Sequence, residues 1–145
     1  MQKNLVSVII MAAGHSSRMG IPKPFLQYRN RFWIEEIIEG YQSAGIASIL
    51  IISTSPIIED ERIQNLLTNY TNITVQTNQR PDLGRSYSIH QAAMHVVSDH
   101  DYFIHNIDNP CPSKVVIEQM IAALKSGSQY VIPMVGERTA HPVLV

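Results

Sequence analysis

The 145-residue sequence has little charge, few aromatic residues and a single cysteine. Lys and Arg number 11 against 12 Asp and Glu, so the formal net charge is -1, and charged residues make up only 16% of the chain. This balance offers no broad positive surface for nucleic acid or an anionic membrane, and we expect neither as a partner. The lone Cys111 excludes an intramolecular disulfide and is typical of a reducing compartment, so we expect a cytoplasmic protein.

Long hydrophobic runs are also missing. The apolar stretch at 5–11 has too few residues to span a bilayer, and no signal-peptide cleavage pattern follows it. A length of 145 residues corresponds to about one domain, and a hydrophobic fraction of 45% is enough to fill one core. The sequence therefore predicts a single domain over residues 1–145.

Apolar runs rich in β-branched residues alternate with segments of helical periodicity. The pattern predicts strands at 5–11, 48–53, 73–77, 101–107, 129–133 and 141–145, and helices at about 32–44, 59–70, 85–97 and 112–125. The third strand is the most polar, which places it nearer an edge. This alternation predicts an α/β fold with a mostly parallel sheet and helices on both faces. Because ligands of such sheets bind beyond the carboxyl ends of the strands, the loops at 12–24, 78–85 and 108–110 are expected to line one crevice.

The loop after the first strand has the composition of a phosphate site. It reads AAGHSSRMGIPK over residues 12–23 and contains neither the dinucleotide fingerprint nor a Walker A pattern. Its small residues allow backbone N–H groups to approach an anion, and Arg18 and Lys23 supply two long cations. A surface loop with two solvated charges is the alternative interpretation. The apolar strand leading into the loop favours the anion site.

The same segment resembles the signature A-A-G-x-S-x-R-M-G-x-P-K of the molybdenum cofactor cytidylyltransferase-like (MobA/MocA-like) nucleotidyltransferases. Later segments resemble that family's other motifs in the right order: LGRSYSI at 83–89, DNP at 108–110, PMVG at 133–136 and AHPV at 140–143. The resemblance implies a Rossmann-like nucleotidyltransferase fold. It also implies transfer of a nucleoside monophosphate from CTP or another nucleoside triphosphate to a phosphorylated acceptor of the molybdopterin type. Pyrophosphate would be released, and a protein partner would receive the product.

The resemblance implies roles for particular residues. Arg18 and Lys23 would hold the triphosphate and the departing pyrophosphate, Arg by gripping two oxygens and Lys as a point charge. Asp108, which follows an apolar strand, would bind Mg²⁺ together with phosphate oxygens and waters. A turn residue before Pro110 is the alternative for Asp108. Backbone contacts to the nucleotide would come from Ala12, Ala13 and Gly14.

The remaining candidates lie in the later motifs. The hydroxyl of Ser88 would contact the base or ribose, cap the helix that follows Gly84, or do both. Arg85 and His141 would meet the acceptor, with a solvated loop arginine as the alternative for Arg85 and for its neighbour Arg80. The spacing of the histidines supports no zinc site. Cys111 is expected to be a half-buried structural thiol.

Within this resemblance, the first loop favours CTP as the nucleotide. Relatives that use GTP carry A-G-G in the first loop and Asp before the Lys, whereas this chain has Ala12-Ala13-Gly14 and Pro22-Lys23, which is closer to the CTP-using pattern. Sugar-phosphate and isoprenoid nucleotidyltransferases have related loops with Gly where Ser16 stands. A sugar-phosphate or other small-molecule nucleotidyltransferase is therefore the alternative enzyme.

The chain departs from the family pattern at two points. Ala140 stands where the family usually has Gly before His-Pro. Its methyl group would intrude on a ligand that approaches closely at the acceptor end of the site. The sequence ends at Val145, whereas the family continues with a segment whose Gly-Asp pair completes the metal site, so the domain is expected to lack its C-terminal segment. A non-catalytic nucleotide-binding module is the third hypothesis.

Overall fold

The computed structural model describes residues 5–14 and 20–145. Its strands are β1 (Leu5–Met11), β2 (Gln27–Tyr28), β3 (Arg31–Phe32), β4 (Ile49–Ser53), β5 (Ile73–Thr77), β6 (His100–Asn106), β7 (Met134–Val135), β8 (Arg138–Thr139) and β9 (Val143–Leu144). Its helices are α1 (Trp33–Ser43), α2 (Ser55–Ile58), α3 (Glu61–Asn69), α4 (Gly84–Ala93) and α5 (Lys114–Lys125). Within the described ranges, none of these helices is long and apolar enough to cross a membrane.

A five-stranded sheet organises the chain, in the order β5-β4-β1-β6-β9. The first four strands run parallel, and β9 is antiparallel to β6. In the central register Met11 lies beside Ile52 of β4 and Asn106 of β6, so the carboxyl ends of these strands are level. The predicted α/β fold and mostly parallel sheet are confirmed, as is the edge position of Ile73–Thr77.

The side chains of β1 alternate between the two faces of the sheet, as strand geometry requires. Val8 and Ile10 belong to the larger apolar cluster, in which α1, α3 and α5 cover one face. Ile9 and Met11 belong to a smaller cluster, to which α4 contributes Ala92 on the other face. The predicted placement of helices on both faces is therefore confirmed, and β1 is buried on both sides.

Helix α1 follows the sequence prediction closely. At its start, the Phe32 N–H donates to the Glu35 carboxylate at 2.8 Å. The helix ends before Ala44 and Gly45, and Gly45 has a φ of +77°, which glycine adopts without a steric penalty. The predicted C-terminal cap is confirmed.

Three predicted elements differ from the structure. The helix predicted at 59–70 begins two residues later, at Glu61, because the Asp60 side chain accepts from the Arg62 N–H at 2.9 Å and caps α3. The helix predicted to reach Val97 ends at Ala93 with Met94 as its C-cap, before His95, Val96 and Val97, which have weaker helical propensity. The strand predicted at 129–133 is wrong: Val131 makes a single bridge to Leu144, and the chain passes through Pro133, which has no N–H to donate, into the β7–β8 hairpin.

Candidate active site

The ends of β1 and β6 and the start of α4 enclose a crevice of about 190 Å³, which we call the β1–β6 crevice. It is lined by Met11, Ala13, Gly14, Pro81, Gly84, Arg85, Ser88, Asn106 and Asp108. Its position matches the rule that α/β ligands bind beyond the carboxyl ends of the strands. The described parts of all three loops expected to converge do line this one crevice.

The first loop leaves the sheet at Ala12, which is buried. The Ala12 N–H donates to the Ile52 carbonyl at 2.7 Å, and its own carbonyl accepts from the Ser53 hydroxyl at 2.9 Å. Both backbone groups of Ala12 are thus bound within the protein, and the residue anchors the loop rather than lining the crevice. Ala13 and Gly14 follow it into the crevice. The predicted Arg18 lies outside the described residues.

Lys23 and Asp108 meet at the edge of the crevice. Lys23 opens a 3₁₀ turn over Lys23–Phe25, and its ammonium group pairs with the Asp108 carboxylate, although 85 positions separate the two residues. Both side chains remain partly exposed, at 31% and 45%, so a ligand can reach them. The Lys23 ammonium offers a positive partner to a phosphate, and the Asp108 carboxylate offers a negative partner to a metal ion.

The backbone around Asp108 is held from several sides. The N–H of Ile107 donates to the Met11 carbonyl at 3.1 Å, and the N–H of Asn109 donates to the Asn106 carbonyl at 3.0 Å. The carbonyls of Ile107 and Asn109 accept from the side chains of Trp33 and His105. Asp108 therefore stands on a loop fixed to the ends of β1 and β6.

Helix α4 presents its N-terminus to the crevice through Gly84 and Arg85. The Gly84 N–H donates to the Pro81 carbonyl, and the positive end of the α4 dipole at this end favours an anion. Arg85 is exposed at this end, whereas Arg80 forms an ion pair with Asp82 at 2.8 Å and is not among the lining residues. Of the two loop arginines, Arg85 therefore lines the crevice and Arg80 does not.

Ser88 lies inside α4, and its predicted role as a helix cap is wrong, because the helix begins four residues earlier at Gly84. Its hydroxyl is buried and accepts from the Asn78 side chain at 2.9 Å. Asn78 also accepts from the Arg80 N–H at 2.8 Å, so it ties the loop after β5 to the helix. Ser88 still lines the crevice, where its hydroxyl proton can be donated to a ligand.

His141 is not among the residues that line the crevice. It is exposed and lies two positions before Val143, which pairs with Ile104 of β6. That register places it near the carboxyl end of β6, close enough for its charge to help lower the pKa of His105. The structure brings His141 to the correct end of the sheet without bringing it together with the other site residues.

Asn106 is a crevice residue that the sequence reasoning missed. It ends β6 beside Met11 and adds an amide group next to Asp108. The available signal was a polar residue at the end of an apolar strand, two positions before a candidate metal ligand. The start of α4 was missed as an anion site because only the fold shows which helix end faces the crevice.

The oxygen donors at the crevice suit a nucleotide-bound Mg²⁺. Asp108 offers a carboxylate and Asn106 an amide oxygen. The described part of the chain contains no group of three or more His, Cys, Asp or Glu residues able to hold a metal ion. A carboxylate completed by phosphate oxygens and waters is a shell that Mg²⁺ accepts. Asp101 cannot join it, because it lies beside Val6 at the opposite end of β6.

Two larger grooves lie elsewhere. One of about 430 Å³ includes Leu5 and Val6 and is therefore at the amino ends of the strands, away from the usual ligand end of an α/β sheet. The other, of about 480 Å³, lies between α1 and the start of α5. We place the site in the β1–β6 crevice because backbone N–H groups, a helix N-terminus and the Lys23–Asp108 pair converge there.

Comparison with known proteins gives a family and a set of structural neighbours. The model of the MobA-like NTP transferase domain family matches residues 8–145. The structure of Rv0371c from Mycobacterium tuberculosis matches with a TM-score of 0.78 and 17% identity, over 97% of this chain and 70% of that chain. Its complex with manganese matches with a TM-score of 0.73 and 15% identity, over the same shares.

Two further structures carry the names of enzymes. The 4-diphosphocytidyl-2C-methyl-D-erythritol synthase from Anaerococcus prevotii matches with a TM-score of 0.77 and 17% identity, over 97% of this chain and 70% of that chain. The inositol-1-phosphate CTP transferase from T. maritima matches with a TM-score of 0.65 and 19% identity, over 91% of this chain and 54% of that chain. At these identities the structures show a common fold.

Proposed function

The chain belongs to the MobA-like NTP transferase family and is a nucleotidyltransferase, and from this premise we propose that it transfers CMP from CTP to a phosphorylated small-molecule acceptor. The observation that carries the proposal is the β1–β6 crevice, where Ala13 and Gly14, the start of α4 and the Lys23–Asp108 pair meet. Backbone N–H groups, a lysine ammonium and a carboxylate are what a metal-bound triphosphate requires.

In the proposed reaction a phosphate oxygen of the acceptor attacks the α-phosphorus of CTP. The bond from that phosphorus to the bridging oxygen breaks, and pyrophosphate leaves with the electron pair. Such transfers depend on positioning and charge neutralisation more than on covalent chemistry by the protein. Lys23 and, from the motif, Arg18 would neutralise the triphosphate, and the N–H groups of Ala13, Gly14 and the start of α4 would orient it.

Asp108 is the residue that would hold a divalent cation, with Asn106 beside it. A bound Mg²⁺ supplies charge neutralisation and orientation of the phosphates. The manganese complex of the Mycobacterium tuberculosis neighbour supports a divalent ion in this fold. Mg²⁺ itself remains our proposal, and its test is the metal dependence of the reaction.

CTP is favoured over other nucleotides by Ala12-Ala13-Gly14 and by Pro22 before Lys23, and CTP is named for the T. maritima neighbour. The motif resemblance favours a molybdopterin-type acceptor, and Ser88, Arg85 and His141 stay proposed contacts for base, ribose or acceptor. A polyol phosphate is the second candidate, because the names of two neighbours refer to a methylerythritol and to inositol 1-phosphate.

The test is pyrophosphate release by the chain with CTP, UTP, GTP or ATP, with Mg²⁺ or Mn²⁺, and with each acceptor in turn: a molybdopterin cofactor, methylerythritol phosphate and inositol 1-phosphate. We expect turnover with CTP, a divalent ion and one of these acceptors. Asp108→Asn should lower kcat/KM about 100-fold, whereas the exposed Asp99→Asn should change it less than about 2-fold. CTP binding without turnover on any acceptor would contradict the proposal and favour the non-catalytic module.

Two expectations from the sequence remain proposals beside this one. The single cysteine favours a cytoplasmic location. Delivery of the product to a protein partner follows from the motif resemblance, and a pull-down with the cytidylylated product present would test it.

A further inference from the structure

The carbonyls of the two residues that flank Asp108 both accept hydrogen bonds from ring N–H groups. The indole N–H of Trp33, in α1, donates to the Ile107 carbonyl at 2.7 Å. The Nε2–H of His105, in β6, donates to the Asn109 carbonyl at 2.8 Å. Donors from a helix and a strand thus hold the loop immediately before and immediately after the carboxylate.

The hydrogen bonds of His105 fix its tautomer. A carbonyl oxygen only accepts, so the contact with Asn109 requires the proton on Nε2. The other ring nitrogen, Nδ1, then accepts from the Tyr41 hydroxyl at 2.8 Å. Both side chains are fully buried, so no water competes for these bonds. Burial also lowers the pKa of His105 to about 4, and the ring is neutral near pH 7.

The same loop has its N–H groups bound as well, to the carbonyls of Met11 and Asn106. The N–H and carbonyl groups of Ile107 and Asn109 are therefore all hydrogen-bonded, while the side chain of Asp108 between them reaches Lys23 and the β1–β6 crevice. Hydrogen bonds connect Tyr41 to His105 and His105 to the Asn109 carbonyl. Packing alone does not require these bonds, because a buried apolar residue of similar size would fill the same volume without polar groups to satisfy.

We propose that Trp33, Tyr41 and His105 are positioning residues that fix the Asp108 carboxylate at the crevice by holding the carbonyls on both sides of it. The inference rests on the proposed function, in which Asp108 takes part in nucleotidyl transfer. None of the three touches the reacting atoms. Their effect is on geometry, where a displacement of about 1 Å can cost on the order of 100-fold in rate.

Two substitutions of His105 distinguish the roles of its two ring nitrogens. His105→Gln places an amide N–H near the position of Nε2 and keeps the bond to Asn109, whereas His105→Asn places a polar atom near Nδ1 only. We expect His105→Asn to lower kcat about 10- to 100-fold with KM for CTP changed less than about 3-fold, and His105→Gln to stay within about 3-fold of the native kcat. Trp33→Phe, which removes the indole N–H together with the five-membered ring and keeps a six-membered aromatic ring, should lower kcat about 3- to 10-fold.

Three measurements do not depend on activity. Long-range ¹⁵N NMR of the native chain should show His105 protonated on Nε2. Hydrogen exchange in peptides covering 107–111 should be at least about 10-fold faster in His105→Asn than in His105→Gln. The same peptides should exchange faster in Trp33→Phe and Tyr41→Phe, and these two variants decide the matter if His105→Asn does not fold.

Native exchange at 107–111 in folded His105→Asn, or equal loss of kcat in the Asn and Gln variants, would overturn the proposal. If the native chain transfers no nucleotide to any acceptor, the proposed function fails instead. The tautomer and the exchange rates would still show whether these residues position Asp108.

Discussion

At the scale of single residues, a histidine ring enclosed by Tyr41 and the Asn109 carbonyl must lose its charge to stay buried. Burial lowers the pKa of His105 from 6.5 to about 4, the hydrogen bond to the Asn109 carbonyl opposes this, and the charge of His141 adds to the lowering. Between these values the unfolded chain binds more protons than the folded one. The free energy of unfolding therefore rises with pH in this window. The contribution of His105 is fully present above about pH 6.5 and is lost as the pH falls toward about 4.

We expect this one group to change the free energy of unfolding by about 2–3 kcal/mol between about pH 7 and pH 4.5, since one pKa unit corresponds to ~1.4 kcal/mol. Urea unfolding at the two pH values measures it. His105→Gln cannot titrate in this range and should lose that much less stability on acidification than the native chain. The exposed His95→Gln is the matched control for replacing a histidine by glutamine. Equal pH dependence in all three proteins would contradict the assignment.

The sequence predicted the crevice-lining residues that sit in motifs and missed the contacts that form only in the folded chain. Ala13, Gly14, Arg85, Ser88 and Asp108 lie in loops after strands or in the helix that follows one, and the rule of carboxyl-end binding brings them together. His105 reads as an ordinary strand residue, because its partner Tyr41 lies 64 positions away. Only the folded chain shows that this pair ends on the loop of Asp108.

At the scale of elements, α1 approaches the loop after β6 so closely that one position has no room for a side chain. A Cβ atom built on Gly40 would lie 2.5 Å from the sulfur of Cys111 and 3.0 Å from its Cβ. Glycine inside a helix costs ~1 kcal/mol relative to alanine. Close packing against Cys111 explains why glycine occupies this position despite that cost. Cys111 is half-buried, and burial raises the pKa of its thiol to about 12. That value supports the expected structural thiol rather than a nucleophile.

We expect Gly40→Ala to lower the free energy of unfolding by about 1–2 kcal/mol, because overpacking outweighs the gain in helical propensity. Cys111→Ala removes the sulfur, so the double variant Gly40→Ala, Cys111→Ala should recover about 1 kcal/mol or more relative to the sum of the single effects. Urea unfolding of the four proteins gives this coupling energy. Additive effects would show that the helix and the loop are not in contact as described.

Element boundaries were predictable where local chemistry sets them. β1 and β5 match their predicted ranges, and α1 ends at its glycine signal. The β7–β8 hairpin was missed, because two strands of two residues each leave no periodic pattern to detect. The apolar run that ends at Pro133 resembles a strand and was predicted as one, although it pairs through Val131 alone.

At the scale of the whole molecule, a net charge of -1 does not show that charged groups gather at one crevice. Lys23, Arg85 and the positive end of α4 all lie at the β1–β6 crevice, although they come from distant segments. Bulk composition averages these charges with acidic residues elsewhere on the surface. The alternating pattern was enough to predict the fold class, whereas the electrostatics of the crevice followed only from the assembled fold.

Because the crevice is assembled from segments separated by tens of residues, it exists only in the folded chain, and a nucleotide bound there must stabilise the whole molecule. At a nucleotide concentration of 100 times Kd the gain is ~2.7 kcal/mol, which corresponds to a rise in Tm of about 5–10 °C for a chain of this size. Thermal unfolding with Mg²⁺ and each of CTP, UTP, TTP, GTP and ATP measures it, and CTP should give the largest shift. Lys23→Met should lose most of the shift, whereas Lys114→Met, at an exposed helix position, should retain it. A larger shift with UTP or TTP would favour a sugar-phosphate nucleotidyltransferase, and no shift with any nucleotide would contradict binding at this crevice.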